Sequence, residues 1–393
     1  MTAPLGANAP TTGLARVLAD PSLLPGQKIA LCANYTSVTA DLARGVDALH
    51  AAGVPLTCLL TPEHGYWGAV QAGESDGDGV DAATSLPVLD TYLVSGPDLD
   101  ALLQRSGADH LVVDLQDIGT RFYTYTWTLF DLLCSAARLG LPITVLDRPN
   151  PLGRTAAGPG LASAFSSFVG RVNVPLQHGL TLGELARWFA AEHVPAETGT
   201  TPELTVIDTA AWDGAPAALE DPWVMPSPNM PTLHTAMLYP ATGLIEGTTL
   251  SEGRGTTRPF ELIGADWTDA RLAPALREQD LPGLTVREAV FRPTFSKCAG
   301  TQVHGVQLHL TDSAALDTTA LAHTLLSTIA RLYPQQPLWR PHEEGRPFFI
   351  DLLWGSAALR EGIDDGAGLD QILAASPAPP TPPVGVKPAE APA

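Results

Sequence analysis

The residue best placed for chemistry is Glu63, which stands three residues after the end of the apolar run Leu56–Leu60 and beside His64. Glycines follow at positions 65 and 68, and glycine lets the backbone turn sharply and leaves room for a ligand. A carboxyl group at the mouth of a buried strand is suited to general acid catalysis. In the alternative interpretation, the glutamate only caps a turn.

A second polar cluster follows the apolar run HLVVDL and contains Asp117, Arg121 and Tyr123. Aromatic rings beside charged groups are typical of sugar sites, because a ring stacks on the apolar face of a pyranose while charged groups bind its hydroxyls. Alternatively, Asp117 and Arg121 form an ion pair at a helix start, and the tyrosine belongs to the core.

Polar residues also follow two further apolar runs. Asn34 comes directly after the first run of the chain, and Asp147, Arg148 and Asn150 come after PITVL. Two prolines in DRPNP stiffen this last segment, because proline fixes its own φ angle and restricts the preceding residue. The segment either binds a ligand or is a rigid turn with an internal Asp–Arg pair.

Residues 245–261 form a stretch rich in glycine, threonine and charge, which is typical of a loop that lines a site. Glu246 or Glu252 could face Glu63 across a cleft between domains and supply the second carboxylate of a glycosidase. Alternatively, this stretch is a solvated loop without a role in catalysis.

The same stretch contains Arg254 and Arg258. A guanidinium group binds a carboxylate through two parallel hydrogen bonds, so either arginine could hold an anionic substituent of a ligand. In the alternative interpretation, Arg258 pairs with Glu261 on the protein surface.

The apolar runs that precede these polar residues predict strands of a parallel sheet. The predicted strands are Lys28–Ala33, Leu56–Leu60, His110–Leu115 and Pro142–Leu146. Helical spacing over Asp41–Ala52 and Tyr125–Leu139 completes the alternation of an open α/β sheet with helices on both faces. Parallel strands end at one edge, so the polar residues after them should converge there. The chain lacks the glycine-rich fingerprints of dinucleotide and P-loop sites.

The second half of the chain predicts a smaller α/β (α+β) unit. Val303–Leu310 alternates like a strand, Ala314–Tyr333 has helical spacing, and WVMPSPNMP at 223–231 is a plausible domain junction. We therefore predict domains over residues 13–226 and 229–375 and a disordered Pro/Ala-rich tail over 376–393.

Composition excludes several classes of protein. With 42 acidic and 22 basic side chains the net charge is −20, which argues against nucleic-acid binding. The four cysteines are scattered and no H-E-x-x-H pattern occurs, so we expect reduced thiols, no metal site and no cofactor. No apolar run reaches the roughly 20 residues that span a bilayer, and no secretory signal is visible. We expect a cytoplasmic protein that does not bind membranes, with a secreted form as the alternative.

The motifs, taken together, resemble those of the exo-β-N-acetylmuramidase (NamZ-type) family, formerly a domain of unknown function. The similarity runs in the same order from about Leu14 to about Leu373. The motifs that carry it are TPEHGYWGAVQAGES, DLQDIGTRFYTYTWTL, VLDRPNPLG, SFVG, HGLTLGELA, PSPNMPT and IEGTTLSEGRGTTRPFELIGADW. The resemblance implies a Rossmann-like amino-terminal domain and a smaller carboxy-terminal α/β domain, with the active site in the cleft between them. It also implies release of N-acetylmuramic acid from the non-reducing ends of peptidoglycan fragments.

Carried onto this sequence, the resemblance makes Glu63 of PEHG the expected catalytic acid, and we infer that Glu246, Glu252 or Asp117 supplies the second carboxylate. We expect these other motif positions to bind substrate: His64, Arg121, Tyr123, Asp147, Arg148, Asn150, Arg254 and Arg258. Asn34 lies outside the motifs and is expected to bind substrate because it follows the first predicted strand. Two alternatives remain open, a non-catalytic binding protein for muropeptides or sugar acids, and a hydrolase of another bond such as an amide.

Muramic acid differs from glucosamine by a lactyl carboxylate. Four arginines lie in the candidate motifs although the chain has only 22 basic residues: Arg121, Arg148, Arg254 and Arg258. We expect this local cluster to hold the lactyl carboxylate.

Overall fold

The computed structural model describes residues 10–383 and Val386. The larger of its two sheets has seven strands. The described residues contain the strands β1 (Ile29–Ala33), β2 (Leu56–Thr61), β3 (Gly79–Val80), β4 (Pro87–Asp90), β5 (His110–Asp114), β6 (Ile143–Leu146), β7 (Leu204–Ile207), β8 (Leu262–Ile263), β9 (Leu284–Phe291) and β10 (Val303–Leu310). The large sheet has the order β3-β4-β2-β1-β5-β6-β7, and only the pair of β3 and β4 is antiparallel.

Helices cover both faces of this sheet and pack around the second part of the chain. They are α1 (Gly13–Ala19), α2 (Gly45–Ala51), α3 (Gly96–Ser106), α4 (Tyr125–Leu139), α5 (Leu182–Trp188), α6 (Val194–Thr198), α7 (Leu233–Thr242), α8 (Leu272–Arg277), α9 (Thr318–Leu332), α10 (Phe349–Trp354), α11 (Ala358–Asp364) and α12 (Leu369–Ala375). None of the helices in the described residues is long and apolar enough to cross a membrane.

The predicted open parallel sheet is confirmed. Every residue of β1 and β5 is buried, as expected for parallel strands with helices on both faces. Helix α4 has the predicted limits, whereas α2 begins at Gly45 rather than at Asp41. The difference has a local cause, because Leu42 has a φ angle of 65° and its N–H bonds to the carbonyl of Thr39 in a turn that a helix cannot contain.

The smaller second part is built on an antiparallel sheet of order β8-β10-β9, in which β9 and β10 pair along all eight residues. Helices α7 and α8 pack against this sheet, and α9 packs against both helices. One hydrophobic cluster runs from the helices of the large sheet into this part, so the two parts share a core. The boundary at 226–229 falls in the irregular segment between β7 and α7 and stays a prediction.

The start of the predicted disordered tail is packed against the protein. The Trp354 indole donates to Ser376 Oγ at 2.9 Å, and the carbonyl of Pro377 accepts from the Gly160 N–H at 2.9 Å. A tryptophan donor and a backbone N–H thus fix residues that composition alone marks as disordered. Residues 384–385 and 387–393 of the predicted tail lie outside the described residues.

The strand order places a topological switch beside β1. From β1 the chain moves to β2 and β4 on one side, then returns to β5, β6 and β7 on the other. The loops that leave the carboxyl ends of neighbouring strands diverge at such a point and open a crevice for a ligand.

Candidate active site

A cavity of about 920 Å³ opens at the carboxyl edge of the large sheet, between this sheet and the second part of the chain. The loops after β2, β4 and β5 form one wall, and residues from 227–260, 295–297 and 340–349 form the other. Both walls carry glutamates, and the cavity is large enough for a saccharide of one or two rings.

Glu63 lies at the end of β2, and three donors fix its carboxylate. Its Oε1 accepts from the Gly73 N–H at 2.6 Å and from the Tyr92 hydroxyl at 3.4 Å, while Thr124 Oγ1 donates to Oε2 at 2.6 Å. Burial, followed by the charge of Glu63, raises the pKa of Tyr92, so this hydroxyl stays a donor. The carboxylate is therefore held by the loops after β2 and β4 and by the start of α4.

A sharp turn after Glu63 explains the sequence EHGYWG. His64 and Gly65 have φ angles of 74° and 73°, a conformation that costs energy for histidine but not for glycine. At Gly68 a Cβ atom would overlap the ring of Tyr35, so only glycine fits there. The strained turn directs the chain back toward Gly73, whose N–H binds Glu63.

His64 lies beside Glu63 in the cavity wall, and its Nδ1 is 3.0 Å from the carbonyl of Val70. Burial lowers the pKa of His64 although the charge of Glu63 opposes this effect. The imidazole is therefore neutral at neutral pH, with Nδ1–H donating to the carbonyl.

The opposite wall carries two glutamates bound to two cations. Arg254 Nη2 is 2.5 Å from Glu246 Oε1, and Arg254 Nε is 3.3 Å from Glu252 Oε1. Lys297 Nζ is 2.7 Å from Glu252 Oε2 and donates to the carbonyls of Ile245 and Thr248. The side chain of Glu246 is 20% exposed and that of Glu252 only 2%. Glu246 is thus the carboxylate that a ligand can reach.

Tyr239 connects the two walls electrostatically. Burial raises its pKa most, and the charges of Glu246 and Glu63 raise it further. Carboxylates from both walls therefore act on the same buried hydroxyl group. The rings of Tyr123 and Phe260 pack edge-to-face on Tyr239 and form the apolar floor.

Aromatic side chains also form the rim. Phe168 from the first part stacks on Phe349 from the second part at 6.5 Å between ring centroids, and both line the cavity. Phe295, which is 38% exposed, lies on the same rim. Such rings can bind the apolar face of a sugar.

The structure brings six of the predicted residues to the cavity: Glu63, His64, Tyr123, Glu246, Glu252 and Arg254. It does not place the other seven there: Asn34, Asp117, Arg121, Asp147, Arg148, Asn150 and Arg258. The catalytic and binding roles of the first six stay predictions, and the contacts of the other seven explain why they lie outside.

Asp117 holds a loop rather than a ligand. Its Oδ2 accepts from the Gly119 N–H at 2.7 Å and lies 3.1 Å from His178 Nε2, while Oδ1 accepts from Thr126 Oγ1 at 3.2 Å. Of the three candidates for the second carboxylate, only Glu246 and Glu252 therefore lie in the cavity.

Arg121 is fully buried and joins the two parts of the chain. It donates to the carbonyls of Pro159 and Val174, and to those of Leu353 and Trp354 at the end of α10. The last carbonyls of a helix lack intrahelical partners and carry partial negative charge, which suits a cation. Burial lowers the pKa of Arg121 to about 9.

The DRPNP segment is also structural. Arg148 forms a buried two-bond ion pair with Asp114, at 2.5 and 2.9 Å. Asp147 accepts from Thr181 Oγ1 and the Gly183 N–H at the start of α5. Asn150 bonds to the carbonyl of Leu180 and the N–H of Leu152. These bonds fix the loop after β6. The internal Asp–Arg pair of the alternative interpretation does not form, because Asp147 and Arg148 bond to other elements.

The remaining two residues have simple contacts. Asn34 is buried and bonds to the Tyr125 hydroxyl and to Thr36. Arg258 is 48% exposed and lies 3.5 Å from Glu261, which is the pairing that the alternative interpretation described.

Sequence reasoning missed several residues of the cavity: Tyr92, Thr124, Tyr239, Lys297 and Arg340. Tyr92 follows β4, a short, half-exposed strand without an apolar run. Thr124 stands between two tyrosines in the segment RFYTYTW, where the aromatic residues give the stronger signal of a sugar site. Lys297 could have been noticed, because the chain has only three lysines and a rare residue type is a candidate for a specific role.

The arrangement suits acid–base chemistry on a polar, ring-shaped ligand. The oriented carboxylate of Glu63 and the reachable carboxylate of Glu246 line the same cavity, and glycosidic bond hydrolysis uses a pair of carboxyl groups. No group of three or more His, Cys, Asp or Glu side chains within the described part of the chain could hold a metal ion.

Comparison with known proteins gives the family of the chain. The family models described as exo-β-N-acetylmuramidase NamZ, N-terminal and C-terminal, match residues 29–234 and 237–378. The chain is 40% identical to the peptidoglycan β-N-acetylmuramidase NamZ of Bacillus subtilis (strain 168) over 369 residues, which cover 92% of this chain and 86% of the relative. Two solved DUF1343 family proteins of Bacteroides fragilis NCTC 9343 have TM-scores of 0.81 and 0.74 at 29% and 28% identity, and each comparison covers 93% of this chain and 94% of the other. The chain therefore belongs to the exo-β-N-acetylmuramidase NamZ family, as its motifs predicted.

Proposed function

We propose that this protein is an exo-acting β-N-acetylmuramidase, a glycoside hydrolase that releases N-acetylmuramic acid from the non-reducing ends of peptidoglycan fragments. Family membership supports the reaction class and the substrate. The observation that carries the proposal in this chain is the cavity that combines Glu63 on one wall with Glu246 on the other.

Glu63 acts as the general acid. In its protonated form it transfers a proton to the glycosidic oxygen, the bond between C1 and this oxygen breaks, and the remaining fragment leaves with a new hydroxyl group. The donors from Gly73 and Thr124 support this role, because they hold the carboxyl group in one orientation.

Glu246 is the second catalytic carboxylate. It is the more exposed of the two glutamates on its wall, whereas Glu252 is enclosed between Arg254 and Lys297. Glu246 either removes a proton from the attacking water or attacks C1 itself, and water then completes the hydrolysis. The ion pair with Arg254 holds Glu246 in place for either role.

The test measures release of N-acetylmuramic acid from the disaccharide of N-acetylmuramic acid and N-acetylglucosamine by mass spectrometry. We expect Glu63→Gln and Glu246→Gln to lower kcat by roughly 100-fold or more. Glu343→Gln is the matched control, because Glu343 is 74% exposed and does not line the cavity. NMR of the first-formed anomer distinguishes retention from inversion.

Two results would contradict the proposal. Undiminished turnover by Glu63→Gln would remove this residue from the acid role. Saturable binding of the disaccharide by calorimetry, without product after long incubation of the wild type, would show a binding protein instead of an enzyme.

A further inference from the structure

Arg340 differs from the other cations of the cavity. Three glutamates and three cations line this space, although the whole chain carries a net charge of −20. Arg254 contacts Glu246 and Glu252, and Lys297 contacts Glu252. Arg340 forms no ion pair with any residue that the structure describes.

The backbone holds Arg340 in a defined place. Its N–H donates to the carbonyl of Gly247 at 3.0 Å, and the Thr249 N–H donates to the carbonyl of Leu338 at 2.9 Å. Gly247 permits this close packing, because a Cβ atom there would lie 2.6 Å from the backbone of Ile350. Arg340 is therefore fixed beside the loop that carries Glu246.

The side chain of Arg340 is exposed and has an aromatic neighbour. Its guanidinium group lies over the ring of Phe349, 5.3 Å from the centroid, at the rim of the cavity. A guanidinium group that contacts an aromatic ring still has N–H groups available for an anion.

We propose that Arg340 binds the lactyl carboxylate of the terminal muramic acid and selects this sugar over uncharged amino sugars. The inference rests on the proposed function. Muramic acid carries one negative charge that glucosamine lacks, and a planar guanidinium group matches a carboxylate through two parallel hydrogen bonds. Of the four arginines predicted to bind the lactyl carboxylate, only Arg254 lines the cavity. Its guanidinium group already forms ion pairs with two glutamates.

The test compares two chromogenic aryl β-N-acetylmuramides, one with the free lactyl acid and one with its carboxamide. The amide has the same shape but no charge. We expect the wild type to prefer the acid by roughly 10- to 100-fold in kcat/KM, the range for a hydrogen-bonded charge. Arg340→Gln should bring this ratio close to one by raising KM for the acid, while kcat/KM for the amide should fall far less than kcat/KM for the acid.

Two further variants control for charge and fold. Arg340→Lys should keep part of the preference, because it retains the charge but not the two-bond geometry. Arg346→Gln removes a charge from the same segment outside the cavity, where Arg346 is 74% exposed, and should leave the ratio unchanged.

An unchanged ratio in Arg340→Gln would overturn the assignment, and so would an equal loss for both substrates, which indicates a structural role. If the wild type cleaves neither aryl glycoside, the proposed function fails instead. Calorimetry with free N-acetylmuramic acid and its carboxamide then tests Arg340 independently, and equal affinity of Arg340→Gln and wild type for the acid would overturn the assignment.

Discussion

Arg254 Nη2 lies 2.5 Å from Glu246 Oε1, and the same guanidinium group reaches Glu252 with Nε. Burial alone lowers the pKa of Arg254, but the two carboxylates more than offset this effect and hold the pKa above its ordinary value. The arginine therefore stays charged and separates two glutamates that would repel each other.

Removal of this charge should affect both stability and activity. We expect Arg254→Met to lower the free energy of unfolding by roughly 3 kcal/mol, because Glu246 loses its ion-pair partner and the buried Glu252 keeps only Lys297. Urea denaturation measures this loss. Turnover should fall as well, since Glu246 loses its orienting contact.

Arg258→Met is the control for this variant. Arg258 is 48% exposed and its contact with Glu261 is long, so the loss should stay below about 1 kcal/mol. Equal stability of the wild type and Arg254→Met would show that the ion pairs of Arg254 do not stabilise the folded protein.

The orientation of Glu63 should depend more on Thr124 than on Tyr92. Thr124 Oγ1 donates to Glu63 at 2.6 Å, whereas the Tyr92 hydroxyl is 3.4 Å away and forms a weaker bond. We expect Thr124→Val to lower kcat about tenfold or more, the range for a hydrogen bond to a charged group. Tyr92→Phe should have a smaller effect. Steady-state kinetics on an aryl muramide measures both.

Thr128→Val is the matched control on the next turn of α4, because Thr128 does not line the cavity. A larger loss of kcat in Tyr92→Phe than in Thr124→Val would contradict the orientation that these distances indicate.

Arg121 should matter for folding and not for substrate binding. Its replacement by methionine leaves four buried carbonyls without their donor, of which two belong to the end of α10. An unpaired buried polar group costs about 1–3 kcal/mol, so we expect a loss of at least about 3 kcal/mol in urea denaturation. The folded fraction of Arg121→Met should keep the wild-type KM. A raised KM at unchanged stability would instead support the substrate role that the sequence predicted.

The sheet could be predicted because its central strands are continuous apolar runs followed by polar turns. Strands β1, β2, β5 and β6 all have this pattern, and the sequence predicts them. Strands β3 and β4 are short and exposed or half-exposed, and the sequence does not predict them. Composition also misled at Ser376 and Pro377, since proline and alanine mark disorder but do not reveal a tryptophan or a backbone donor that fixes them.

The site could be predicted only in part, for a physical reason. Glu63 and Arg121 both follow strands that end at the same sheet edge, so position along the chain does not separate them. The two residues differ in their surroundings. Glu63 lines the cavity, whereas the guanidinium group of Arg121 is buried and donates to four carbonyls of distant segments. Arg340 was missed because no strand or motif marks its segment.

The buried Asp147 should make the stability of the protein depend on pH. Burial raises the pKa of Asp147 to about 6, although its bonds to Thr181 and Gly183 oppose this shift. The unfolded chain releases this proton near pH 4, so folding stability falls as the pH rises from about 4 to about 6. Two pKa units correspond to about 3 kcal/mol. The difference in unfolding free energy between wild type and Asp147→Asn, measured from pH 4 to 6.5, should shrink by about this amount, because asparagine does not titrate.

Asp100→Asn gives the opposite sign and serves as the control. The hydrogen bond from Arg138 lowers the pKa of Asp100, so its contribution to stability is present above about pH 4 and is lost as the pH falls further. Its difference from wild type should stay constant between pH 4.5 and 6.5, where Asp147 titrates. A flat difference for Asp147→Asn over the same interval would mean that burial at the start of α5 does not raise the pKa of Asp147, and that its two hydrogen bonds outweigh the loss of hydration.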